Sequence, residues 1–169
     1  MERGGWQRTW VRILMTAMTV AAMALIFCFS TEPADQSDVT SGRISRRVIA
    51  VIYPDYSQKT VEEQQTIYDS VQHTVRKAAH FTEYMLLGLL IRFCLESWFG
   101  NRGWSCPVSW ATGTFYAGTD EFHQILIDGR SGQLADVMID SGGVLIGTLI
   151  AHFIIRTASR KQADTRKDV

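Results

Sequence analysis

Two short segments concentrate the residues able to do chemistry. In R-K-A-A-H-F-T-E-Y, residues 76–84, the imidazole of His80 precedes the carboxylate of Glu83 by three positions, so one helical face would present both. In D-E-F-H-Q-I-L-I-D-G-R-S-G-Q-L-A-D-V-M-I-D, residues 120–140, Asp120 and Glu121 again stand beside an imidazole, His123. A histidine within reach of carboxylates can act as a general base for hydrolysis or group transfer. His80, Glu83, Asp120, Glu121 and His123 are therefore the candidate catalytic residues. No nucleophile stands out, since Ser131 in G-R-S-G does not match a nucleophile elbow. Arg76, Lys77 and Arg130 suit phosphate or carboxylate groups, and with Gln124 and Asp136 they form the candidate ligand-binding set.

The same residues admit three other readings. His80 with Glu83, and Glu121 with His123, offer nitrogen and oxygen ligands of the kind zinc or manganese accepts. The E-x-H spacing, however, separates its side chains by about 200° around a helix, so no metal site or cofactor is assigned. A noncatalytic site for a lipid-linked or peptide ligand uses the same charges. In the blandest case Arg76, Lys77, His80, Glu83, Asp120, Glu121, Arg130, Asp136 and Asp140 only pair across helices, which contributes little net stability but specifies which helices meet. His73 and His152 read as a surface-helix residue and a membrane-interface residue. Enzyme activity stays open.

The elements that would carry these groups are apolar. A charged residue at mid-helix costs roughly 2.5–3.5 kcal/mol on insertion scales, so charges running into such stretches should face protein or water. Residues 13–29 carry no charge, follow Arg3, Arg8 and Arg12, and precede an acidic stretch, which is a signal-anchor pattern with a cleavable signal peptide as the competing reading. Further blocks cover residues 75–93, 107–127 and 134–155; the third is the weakest, because Asp120, Glu121, His123 and Gln124 fall in its last two turns. Pro107 suits a helix start and Gly129 a stop. The expected organisation is a cytoplasmic N-terminus (1–12), a first transmembrane helix (13–30), an extracytoplasmic loop with an amphipathic helix (31–74), a core of three transmembrane helices (75–156) and a cytoplasmic tail (157–169).

Basic residues near the first block, at Arg92 and Arg102, and in the tail put both termini in the cytoplasm. The polar ends of the second, third and fourth helices then share one depth, at the extracytoplasmic face. On the fourth, Asp136 and Asp140 align with Gly143 and Gly147, which read as a helix contact within the chain. With 17 basic and 17 acidic residues the net charge is zero, and nucleic acid is set aside as a partner. Cys28, Cys94 and Cys106 match neither a metal knuckle nor a redox pair and read as apolar filler.

The two charged motifs, about thirty-five residues apart, resemble those of the VanZ-like family of small bacterial membrane proteins, over residues 41–152. The resemblance implies an all-α fold, a four-helix integral membrane bundle with an amphipathic lead-in helix before the second span. That lead-in maps to V-E-E-Q-Q-T-I-Y-D-S-V-Q-H-T-V, with Val61, Ile67, Val71 and Val75 apolar. By position the family's polar signature falls on Arg76, Lys77, His80, Glu83 and Tyr84, then on Asp120, Glu121, His123, Gln124, Gly129, Arg130 and Asp136; Asp140 stands where the family often has Asn. The family's founding member is an accessory factor in teicoplanin resistance. The implied protein is a multi-pass protein of the bacterial inner membrane. Its expected partners are membrane lipids and a lipid-linked cell-wall precursor or glycopeptide-related ligand.

Overall fold

A computed structural model of the chain describes residues 9–31, 34–126 and 133–165. These are helical almost throughout: α1 (Thr9–Ser30), α2 (Ala34–Ile52), a 3-10 turn (Tyr56–Gln58), α3 (Val61–Phe99), α4 (Ser105–Gln124) and α5 (Leu134–Thr165). Among the described residues there is no strand. α1, α3 and the Leu134–Lys161 part of α5 are long and apolar enough to cross a membrane. α4 is not among them, since serines, threonines and glycines run through it as well as the acidic residues of its last turns.

Two features depart from the expected layout. The stretch taken as a separate lead-in helix is the first half of α3, one uninterrupted helix of 39 residues. At about 1.5 Å per residue α3 is roughly 58 Å long, nearly twice a hydrocarbon core of about 30 Å, so much of it projects beyond the apolar layer. A capping box sets its start: Thr60 Oγ1 accepts from the Glu63 amide at 3.3 Å while Glu63 Oε2 accepts from the Thr60 amide at 2.9 Å. Gly100 ends it with φ 72°, its N–H donating to Glu96 O at 2.9 Å. The second departure is α2, in a segment expected as loop around its basic residues. Those charges hid an amphipathic pattern whose buried positions include Ser45 and Ile49, and Gly42 lets the Tyr68 hydroxyl of α3 approach closely.

Side-chain contacts define how the long helices run. Arg12 near the start of α1 donates from Nε to Ser97 O near the end of α3, at 3.0 Å. Trp98 Nε1 donates to Thr16 Oγ1 at 3.1 Å, and the Arg12 guanidinium lies 5.2 Å above the Trp98 ring. α1 and α3 are thus antiparallel. The Tyr116 hydroxyl donates to Met23 O at 2.7 Å and the Phe27 ring stacks on His123 at 4.8 Å, which sets α4 alongside α1. α4 is antiparallel to α5, where Trp110 Nε1 donates to Ser141 Oγ at 3.0 Å and Thr114 meets the same hydroxyl at 2.8 Å.

α3 and α5 run parallel and touch backbone to backbone. A methyl group on Gly143 would overlap the Phe81 carbonyl, one on Gly147 the Met85 carbonyl, and one on Gly88 the Val144 carbonyl. Small residues let membrane helices approach this closely, and here the glycine stripe is an intramolecular contact. Around it Ile26, Tyr84, Leu87, Ile91, Ala117 and Val144 form a core to which α1, α3, α4 and α5 all contribute. At the far end of α3, Arg92 is fully buried, donating to Glu96 Oε2 at 3.2 Å and Asn101 Oδ1 at 2.9 Å. Arg92 is therefore a neutralised internal charge rather than the flanking surface charge that the orientation argument assumed.

Candidate functional site

A cavity of about 130 Å3 opens where the first half of α3 meets the end of α4 and the start of α5. The α3 wall carries His73, Arg76, Lys77 and His80, whose offsets of three, four and seven residues keep them on one face of the helix. Glu121 and Gln124 come from α4, and Gln133, Asp136, Ile139 and Asp140 from the entry and first turns of α5. One water needs only about 10–15 Å3, so the space takes a polar group of several atoms.

Two contacts hold the walls at their spacing. Lys77 Nζ lies 2.7 Å from Asp136 Oδ1, joining α3 to α5 across the cavity. Both side chains stay partly exposed, so this pair contributes on the order of 1 kcal/mol or less. Glu121 Oε1 accepts from the Gln133 backbone N–H at 2.7 Å. The second contact matters more for position, because a carboxylate at a helix N-terminus satisfies an otherwise unpaired amide and meets the positive end of the helix dipole. The carboxylate of α4 thereby fixes where α5 begins.

Of the residues singled out by sequence, Arg76, Lys77, His80, Glu121, Gln124 and Asp136 line this one cavity. Three others lie outside its lining. Glu83 stands on α3 with its Oε2 3.9 Å from His80 Nδ1, beyond hydrogen-bond length. Asp120 turns inward beside Tyr84, and its Oδ2 accepts from Gln124 Nε2 at 3.3 Å. His123 faces α1 and stacks on Phe27. Glu121 and His123 therefore diverge, as a two-residue spacing on a helix requires, and no three His, Cys, Asp or Glu among the described residues form a metal-holding group. Arg130 and Gly129 lie outside the described residues.

The structure adds four lining residues that were not in the candidate set: His73, Gln133, Ile139 and Asp140. His73 was read as a surface residue because the second apolar block begins at residue 75. Extending the helix upstream, as the Thr60–Glu63 capping signal permits, puts His73 one turn before Arg76 and Lys77. Asp140 lies one turn after Asp136 and is 3% exposed. The cavity is thus two-sided: basic and imidazole groups on α3 face carboxylates and amides on α4 and α5. This arrangement can grip a ligand that carries both signs of charge, or a polar group with several donors and acceptors.

The VanZ/LLP1 family model matches residues 15–156, which take in most of α1 and every cavity-lining residue. Neither the curated proteins nor the solved structures give a significant match.

Proposed function

Because the chain belongs to the VanZ/LLP1 family, we propose that it is a four-span protein of the bacterial inner membrane whose cavity, on the extracytoplasmic side, binds a polar group of a cell-envelope component. Binding of this kind, to a lipid-borne ligand, contributes to tolerance of glycopeptides such as teicoplanin. The observation that carries the reading is the convergence of Arg76, Lys77, His80, Glu121, Gln124 and Asp136 on one cavity from three helices.

The fourth span rests on the pattern of α4. Its buried positions include Ser105, Ser109, Asp120, Glu121 and Gln124, whereas its exposed large residues are Val108, Trp110, Phe115 and Phe122. A helix that hides its polar groups and exposes its aromatic ones is matched to lipid on the outside. Arg102 and the basic residues Arg156, Arg160 and Lys161 stand at the opposite end of the bundle from the cavity, which supports a cytoplasmic side there.

Apart from Ile139, the lining side chains are charges, amides and imidazoles, which suit recognition. A second reading is favoured at two positions, where the Lys77–Asp136 pair and the Glu121–Gln133 bond join helices and assign those groups to packing. The test is teicoplanin susceptibility of cells carrying Arg76→Ala or His80→Ala at wild-type membrane levels. Raised susceptibility is expected. Unchanged susceptibility at normal levels refutes the binding role, and loss of the protein from the membrane favours packing.

A further inference from the structure

On the premise that the cavity is a binding site, we propose that it takes the headgroup of a zwitterionic phospholipid bearing a primary ammonium. The ammonium lies against Asp140 and the phosphate against the α3 wall at Arg76.

Asp140 makes the demand for a cation specific. It lines the cavity, is 3% exposed, and its buried Oδ1 accepts no hydrogen bond. A buried carboxylate oxygen without a donor is costly. The acids around it, Glu121, Asp120, Asp136 and Glu83, deepen the negative potential there. Across the cavity Arg76 gives the opposite sign, and a planar guanidinium matches a phosphate oxygen pair. A ligand with an anionic and an ammonium end separated by a short linker meets both walls at once.

The same helix ends argue that the ligand is a lipid rather than a free solute. Immediately beside the lining residues Glu121, Gln124 and Asp136, the outward faces carry Phe122, Ile125, Leu126, Leu134 and Met138, all exposed, Leu134 to 78%. A headgroup held in the cavity leaves its acyl chains on that adjoining apolar surface, where burial stabilises them.

The test is native mass spectrometry of the full chain with phosphatidylethanolamine, phosphatidylcholine and phosphatidylglycerol in competition. Phosphatidylcholine keeps both charges, but its quaternary nitrogen has no N–H to donate; phosphatidylglycerol keeps only the phosphate. Wild type is expected to prefer phosphatidylethanolamine by about tenfold over both. Asp140→Asn, which preserves shape, is expected to abolish the preference while leaving phosphatidylglycerol binding intact. His123→Ala, outside the cavity, is expected to leave it unchanged. If Asp140→Asn does not fold, Arg76→Gln tests the other wall and should weaken all three lipids together. Equal binding of the three lipids by wild type, lost in Arg76→Gln, overturns the ammonium assignment and leaves the cavity as a binding site. Soluble O-phosphoethanolamine competing as well as the lipid overturns the lipid source. Lipid binding insensitive to every cavity substitution removes the proposed function as well.

Discussion

The glycine contacts of α5 with α3 and of α4 with α5 predict that two glycines, replaced by the same residue, will respond in opposite ways to a second substitution. At Gly147 the three atoms nearest an added Cβ are all main chain: it would overlap the Met85 carbonyl oxygen and lie 2.8 Å from its carbon and 2.9 Å from Leu89 N. At Gly113 the obstructing atoms are the Val144 side chain, with Cγ2 at 2.9 Å and Cβ at 3.3 Å. Backbone cannot rotate away, so Gly147→Ala must push α3 from α5. Overpacking of this kind costs about 1–3 kcal/mol, which outweighs the roughly 0.5–1 kcal/mol that alanine gains over glycine within a helix. Gly113→Ala should also destabilise, but in a Val144→Ala background the new methyl occupies room vacated by two. Coupling of about 0.5–3 kcal/mol is expected there. No such rescue should appear for Gly147→Ala combined with Met85→Ala, because the Met85 side chain is not the obstacle. Gly118, with nothing within 4 Å of an added Cβ, is the control and should be neutral or slightly stabilised as alanine. Equilibrium unfolding in mixed micelles, followed by far-UV ellipticity, measures each of these variants. A Gly147→Ala protein as stable as wild type, or one rescued by Met85→Ala, refutes the close-packing argument.

Further outcomes follow from the buried polar contacts. Arg92→Ala leaves the Glu96 carboxylate buried without its partner and should destabilise by about 3–5 kcal/mol, whereas Arg92→Leu with Glu96→Leu should lose much less, in the same unfolding assay. Glu121→Ala removes the acceptor for the Gln133 N–H and should cost about 0.5–2 kcal/mol; hydrogen exchange should accelerate at residues 133–136. Tyr116→Phe deletes one hydrogen bond to Met23 O and should cost about 1 kcal/mol. Protein extracted from membranes should retain α1, since that helix is bonded to α3 and α4; an intact mass lacking residues 1–30 contradicts this.

The sequence revealed α1 and α5 because uninterrupted apolar runs need no partner to be recognised. It also revealed the polar stripe of α3, since His80 and Arg76 recur at helical spacing. The continuity of α3 was harder to see: its first half is polar on most sides, and only the Thr60–Glu63 cap marks where it begins. α2 was hidden because Arg43, Arg46 and Arg47 lower its hydropathy while its apolar face is covered by α3. Periodicity says which residues share a face but not which neighbour that face meets. Hence Asp120, His123 and Gln124, expected on one face with Glu121 on its flank, part company: Gln124 and Glu121 line the cavity, Asp120 turns inward, His123 meets Phe27 of α1, and His73 was passed over. Asp140 could be aligned with Asp136 from the sequence, but its unsatisfied oxygen is visible only once three helices enclose it.

The inside-out character of α4 bears on how such a chain is made. Asp120 and Glu121 would each cost several kcal/mol in lipid, and they are hidden only when α3 and α5 stand beside them. If α4 spans the bilayer, the segment cannot leave the insertion machinery as a lone helix. It must linger until α5 emerges from the ribosome and supplies the Gln133 N–H to Glu121. Biogenesis of this protein would then be a late, pairwise event, and truncating the chain before residue 133 would leave α4 with nowhere apolar to go.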